Sequence, residues 1–294
     1  MVIERALEKL KQTQTATAVD RGSGARMYEG AERRAPRPAE TPAAAPAPVV
    51  PRPNFKEFSC DPDRAVENRI MLPGTKFAAD AALAAAYRMI RTRLQNLIAT
   101  KSWTTLAVTS PEAGDGKSVT ALNLALSFAR DQSRNVFLID LDMRNPSLCR
   151  YLGLQPEATL VSYFTGERSA AEVFFTVGIP NFVLAGNSES TEMASELLSG
   201  NRLEQLVDYI RSFAPNPLII IDLPPVLVTD EALMIAPRVD ATALVVADGQ
   251  TRRDSVQRAR QMLAEFSFAG VILNKSSEAT AKSGYYYGYG YRKQ

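Results

Sequence analysis

Histidine is absent from all 294 residues, which removes Ser-His-Asp and Cys-His catalysis and any metal site built on imidazole. Acid–base work in such a chain falls to carboxylates. Cysteine occurs only at Cys60 and Cys149. That gives neither a zinc-ligand spacing nor a disulfide framework, and it suits a reducing cytosol. No run approaches the ~20 apolar residues needed to cross a bilayer, and the charged opening is not a secretory signal. An excess of one charge is also missing. The 34 basic and 32 acidic side chains leave +2, so the balance calls for no nucleic acid, although Arg252, Arg253, Arg258 and Arg260 make one basic helix face.

What is present divides into zones. Residues 1–12 place Ile3, Ala6, Leu7 and Leu10 at helical spacing, an amphipathic helix too short to be stable alone in water. Residues 13–76 are poor in large apolar side chains, and seven prolines fall between Pro36 and Pro53. This composition predicts a disordered Pro/Ala-rich linker that buries no core. Residues 77–275 read as one globular domain, and 276–294 as a flexible tail. The tail holds Tyr285, Tyr286, Tyr287, Tyr289 and Tyr291, five of the ten tyrosines. A glycine-interleaved chain end has too little aliphatic surface to pack, so these phenols are expected to face water as accessible nucleophiles.

Within the domain, short Val/Ile/Leu-rich runs predict strands at 104–109, 135–140, 181–185, 218–222, 241–247 and 269–274, separated by amphipathic stretches at 117–130, 202–213 and 253–266. Such alternation predicts an α/β fold with a doubly wound, mostly parallel sheet and helices on both faces. Ligands of such sheets bind at the carboxyl ends of the strands, where the chemically suggestive residues collect.

The first of these strands runs into SPEAGDGKSV, which puts Gly114, Asp115, Gly116, Lys117, Ser118 and Val119 in a strand-to-helix turn. Glycines let backbone amides approach phosphate oxygens, the helix start adds positive potential, Lys117 reaches the terminal phosphates and Ser118 can ligate Mg2+. Pro111 stands where the strict phosphate-loop pattern has its first glycine, and a lone GKS is also met in turns that bind no nucleotide. The next strand ends at Asp140, with Asp142 and Arg144 following at two-residue steps. In extended chain both carboxylates face one side, although a strand-end aspartate also serves as a turn cap. Asp222 ends the 218–222 strand, and Pro224 and Pro225 then force the chain out of the sheet. Three acids beside a phosphate loop repel one another unless a divalent cation lies among them.

The segments Glu112 to Ser118, Asp140-x-Asp142-x-Arg144 and Ile221-Asp222-Leu223-Pro224-Pro225, followed by the tyrosine-rich tail, resemble the Walker A, A′ and B motifs of bacterial protein-tyrosine kinases. These are P-loop NTPases that act as autokinases in capsule and exopolysaccharide export, and the IERALEKLK opening with its long linker is similar to the exosortase-associated type. The resemblance implies ATP and Mg2+ as cofactors, with Lys117 on phosphate, Ser118, Asp142 and Asp222 on the metal, and Asp140 as acceptor of the tyrosine proton. It further implies that Arg144 orders the A′ loop or touches phosphate, and that Asn274 reads adenine; an ordinary turn asparagine is the plainer account of Asn274. Partners implied are a transmembrane polysaccharide copolymerase or chain-length determinant that activates the kinase, a homo-oligomer and a cognate tyrosine phosphatase. The implied location is cytoplasmic, peripheral to the inner membrane.

Two departures stand out. The family's ring-forming helix has an E-x-x-R-x-x-R pattern; here Arg88 and Arg91 are kept but Ala85 replaces the glutamate. Partition and division-site ATPases share the A′ region and offer a nucleotide-switch alternative, but they carry a signature lysine where this chain has Glu112. A third alternative is a scaffold whose adhesive tail only binds partners.

Overall fold

The computed structural model describes residues 53–131 and 134–276. The expected helix at 1–12, the linker up to residue 52 and the five tail tyrosines lie outside the described residues. Eight strands form one sheet: β1 (Lys56–Glu57), β2 (Thr105–Thr109), β3 (Asn135–Asp140), β4 (Phe175–Thr176), β5 (Phe182–Ala185), β6 (Pro217–Asp222), β7 (Ala241–Ala247) and β8 (Phe268–Asn274). Their spatial order is β1-β4-β5-β3-β6-β2-β7-β8. All neighbours are parallel except β4 and β5. The six strands expected from sequence are present with ends shifted by at most one residue. The two additional strands have two residues each, too few for any periodicity to register.

Alternation across the pleat divides the interior in two. Leu106, Val108, Val136, Leu138, Leu218 and Ile220 point to one core. Ala107, Phe137, Ile139, Ile219 and Ile221 point to the other. The first core is covered by α1 (Ala81–Lys101) and α2 (Lys117–Ala129), the second by α3 (Arg202–Phe213) and α4 (Arg253–Met262). Helix α3 shows how sequence sets this packing: Leu203, Leu206, Val207, Ile210 and Phe213 recur at helical spacing and all are buried. Helix α2 differs in being buried on nearly every side, which fixes its first turn rigidly against the sheet.

Strand β6 lies between β2 and β3, so β6 separates two strands that are consecutive in this part of the chain. Asp222 is in register with Asp140 on one side and with Val108 on the other. The order of strands therefore delivers the phosphate turn and two of the three acids to one rim.

The last part of the expected linker requires correction. Phe55 and Phe58 flank β1 and pack on opposite faces of the sheet, against Phe174 and Phe175 respectively. Further along, Ala65, Ile70, Met71 and Leu72 are buried in the first core. Averaged composition concealed this: a few well-spaced apolar residues cannot make a core, but they can join one that residues 77–275 have already built. Buried Asn123 on α2 locks the segment in place, accepting from Met71 N at 2.7 Å and donating to Arg69 O at 3.0 Å. Asn123→Ala should cost about 2–4 kcal/mol, because two hydrogen bonds go and a buried amide loses its acceptor. Urea denaturation measures this; a loss below ~1 kcal/mol would mean that residues 53–72 are not part of the cooperative unit.

Candidate active site

Strand β2 passes into the turn before α2, where Gly114 and Gly116 adopt φ of +85° and +93°, values that strain any residue with a Cβ. Gly116 is doubly constrained, since a Cβ there would lie 2.1 Å from Asn274 Nδ2. That same amide donates to Asp115 O at 2.9 Å. Asn274 thus fastens the phosphate turn from the end of β8. Asp115 was expected among the nucleotide contacts, but its carboxylate accepts from Glu112 N at 3.0 Å and Thr251 Oγ1 at 2.6 Å. Those bonds commit the Asp115 side chain to folding the turn. Glu112 in turn accepts from Ser255 Oγ at the start of α4.

Lys117 points along the turn into a ring of oxygens. Its Nζ is 2.7 Å from Asp142 Oδ2, 2.9 Å from Ser118 Oγ and 3.5 Å from Asp222 Oδ1. Burial disfavours its charge, yet Asp222 and Asp142 outweigh that and hold the ammonium above the usual lysine range. Asp222 is fully buried, which pushes its pKa up to about 6 against the opposing pull of Lys117. Its Oδ2 has no hydrogen-bond partner. Ser118, Asp142 and Asp222 supply only oxygen donors, as Mg2+ requires. The orphaned oxygen beside them is what a divalent cation would satisfy, so these residues fit such an ion.

Asp140 is placed differently from the two-residue expectation. The strand ends at Asp140, the extended geometry lapses, and the two carboxylates, still close enough to act on one another, take different partners. Asp142 faces Lys117, whereas the fully buried Asp140 accepts from Asp142 N at 3.2 Å and from Ser147 N and Leu148 N, each at 3.1 Å. Burial, reinforced by Asp222, raises its pKa to about 7 although Lys117 pulls the other way. Arg144 orders the loop beyond: Nε donates to Glu231 Oε1 at 2.6 Å and Nη1 to Glu192 Oε2 at 2.8 Å. Glu231 is fully buried. Nothing in its local sequence announces a partner 87 residues away.

In front of this ring lies a cleft of about 1070 Å³ lined by Gly114, Gly116, Lys117, Ser118, Val119, Asp142, Arg144 and Asn274. Phe77, Tyr87 and Tyr151, all in helices, also line it; the sequence did not mark these aromatics as lining residues, since their helices reach the cleft only through tertiary packing. On α1, Arg88 is exposed, while Arg91 turns inward to donate to Ser127 O. Among the described residues no helix is long and apolar enough to cross a membrane.

A model of the ParA family, described as NUBPL iron-transfer P-loop NTPase, matches residues 101–287. The tyrosine-protein kinase CpsD from serotype Ia of Streptococcus agalactiae is 30% identical over 201 residues, covering 67% of this chain and 84% of that one. The chain belongs to the bacterial tyrosine-protein kinases. Tyrosine-protein kinase YwqD of Bacillus subtilis is 28% identical over 203 residues, 68% of this chain and 84% of that one. The kinase domain of the Escherichia coli tyrosine kinase ETK superposes with a TM-score of 0.63 at 25% identity, covering 74% of this chain and 83% of that one. The fold is therefore that of the nucleotide-binding P-loop NTPases.

The raised pKa of Asp222 gives a signed expectation. The folded state holds a proton up to about pH 6, whereas the unfolded chain releases it near the ordinary carboxylate value, so this group makes stability fall as pH rises between about 4 and 6. In EDTA without nucleotide, Asp222→Asn should flatten that fall and raise the thermal midpoint at pH 7.5 by a few degrees, about 2–4 °C per kcal/mol. Scanning calorimetry across pH 4.5–8 tests this; an unchanged slope would contradict the assignment.

Proposed function

We propose that this kinase is an ATP-dependent autokinase that phosphorylates its own tail at Tyr285, Tyr286, Tyr287, Tyr289 and Tyr291, in trans within a homo-oligomer. The observation that supports it most is the convergence of Lys117, Asp142, Asp222 and Asp140 at the carboxyl ends of three adjacent strands beside an open cleft. Phosphoryl transfer asks a protein chiefly for position and charge neutralisation, and this ring offers both.

Residue roles follow from chemistry. Lys117 steadies the terminal phosphates, amides of the glycine turn cradle them, and Ser118, Asp142 and Asp222 hold Mg2+, which supplies neutralising charge to the triphosphate. Arg144, braced by Glu231 and Glu192, keeps the A′ loop in shape. A tyrosine oxygen forms a bond to the γ-phosphorus while the bond from that phosphorus to the β–γ bridging oxygen breaks. ADP leaves with that electron pair, and the phenol proton passes to the Asp140 carboxylate. A carboxylate whose pKa lies near 7 suits this better than an ordinary one, because the phenol starts at ~10. The amides of Asp142, Ser147 and Leu148 cover Asp140, so proton transfer requires the loop between them to open.

The wider setting is part of the same proposal: exopolysaccharide polymerisation, chain length or export as the regulated process, a transmembrane copolymerase as activator, a tyrosine phosphatase to reset the tail, and a position at the inner membrane through the partner. A ring is weakened here, because Ala85 lacks the acid of the family pattern and Arg91 is engaged within its own chain.

Intact-mass spectrometry of the full chain with Mg-ATP is the test, with the partner's cytosolic segment added in parallel. Successive additions of one phosphate each, mapped to residues 285–291, are expected for the wild type and none for Lys117→Met. Changing all five tail tyrosines to phenylalanine should abolish the gain in mass while leaving ATP affinity within about two-fold. ATP turnover with no added mass under any condition would instead assign a nucleotide switch.

A further inference from the structure

A second cleft, about 640 Å³, adjoins the first and shares Arg144 and Asn145 with it. Its lining is polar and basic, with Arg64, Arg144 and Arg150 joined by Ser188 and Ser190. Asp61 is the acid in this lining, and it is occupied, since its Oδ1 caps the helix Pro62–Glu67 by accepting from Asp63 N and Arg64 N. Arg144 is committed to Glu231 and Glu192. Arg150 lies over the Tyr151 ring at 5.6 Å. Among the described residues, neither Arg64 nor Arg150 forms a salt bridge, and both are exposed.

Their meeting depends on a tightly built contact. Arg64 comes from the segment that composition marked as linker, Arg150 from the short helix Leu148–Leu152 directly after the A′ loop. Asp61 N donates to Leu152 O at 2.9 Å, and Ala65 is fully buried. Gly153 has φ +69°, and a Cβ there would lie 2.6 Å from Asp61 Cβ. Only glycine allows the two helices to approach this closely, and the approach brings Arg64 and Arg150, neither of which forms a salt bridge among the described residues, into the lining of one cleft beside the first.

Paired guanidinium groups with hydroxyls nearby recognise phosphate monoesters. We propose that this cleft holds a phosphotyrosine of the tail, so that a phosphate already transferred anchors the chain while a neighbouring tyrosine enters the first cleft. The proposal rests on the autokinase reading and extends it. Tyr287 and Tyr291 are four positions apart, at most ~14 Å of extended chain, and the two clefts adjoin at Arg144 and Asn145. One modified position would then accelerate the next, and the kinase would load its tail in a run.

The test uses fluorescein-labelled synthetic peptides of residues 283–294, with and without phosphate on Tyr291, titrated by anisotropy into the full chain and into Arg64→Ala/Arg150→Ala. The wild type should prefer the phosphopeptide by at least ten-fold. The double variant should lose that preference with its thermal midpoint and ATP affinity unchanged. Equal affinity for both peptides in the wild type overturns the proposal, as does an undiminished preference in the double variant. Displacement of the phosphopeptide by inorganic phosphate at the peptide's own concentration overturns it too, because the site would then read phosphate without the tail. These peptides are made chemically, so the binding result stands apart from whether the chain makes phosphotyrosine. A time course of intact mass reads that second question. The double variant should gain its first phosphate at the wild-type rate and later ones about three- to ten-fold more slowly; equal rates for every phosphate in the two proteins would overturn the accelerating role.

Discussion

One ammonium group holds three carboxylates together at the centre of this molecule. Lys117 is buried against Asp142 and Asp222 with Asp140 close behind, and the strand order that places β6 between β2 and β3 gives the acids no way apart. Burying more negative than positive charge is costly, and removing the one cation of such a cluster, which leaves buried charge uncompensated, typically costs ~3–5 kcal/mol. The local structure is arranged around that imbalance: three backbone amides share Asp140, an orphaned oxygen is left on Asp222, and both acids are shifted toward neutrality.

Around this centre the supports come from far along the chain. Glu231 reaches Arg144 from beyond β6, Thr251 and Ser255 reach the phosphate turn from the start of α4, and Asn123 ties down residues 69–71 from α2. None touches the expected position of a phosphoryl group. Each fixes a backbone segment that carries a group that does, and reactivity here depends on that scaffolding as much as on the acids themselves.

Sequence alone conveyed the strands because burial on both faces makes each one a short, unbroken Val/Ile/Leu run, and it conveyed the phosphate turn and the three acids because they fall at strand ends. It brought Asp140 and Asp142 to one site but gave no sign of their different partners, since the two-residue rule holds only while the chain stays extended and β3 stops at Asp140. It placed Asp115 in the phosphate turn without showing which way its side chain faces, because one of the partners that turn it inward, Thr251, lies 136 residues away. Residues 55–72 were read as linker because composition averages over a window, while packing depends on single residues such as Phe55, Phe58 and Ile70. Tertiary partners such as Glu231 leave no local trace at all.

Asn274 is the final residue of the sheet, and the tyrosine-bearing tail departs directly after it. Its side chain bonds to Asp115 O and occupies the space a side chain at Gly116 would need. The phosphate turn and the root of the tail consequently form one mechanical joint. Any displacement of the turn must therefore move the end of β8 with it, so the conformation of residues 114–116 and the position of the sheet's last residue are not independent variables.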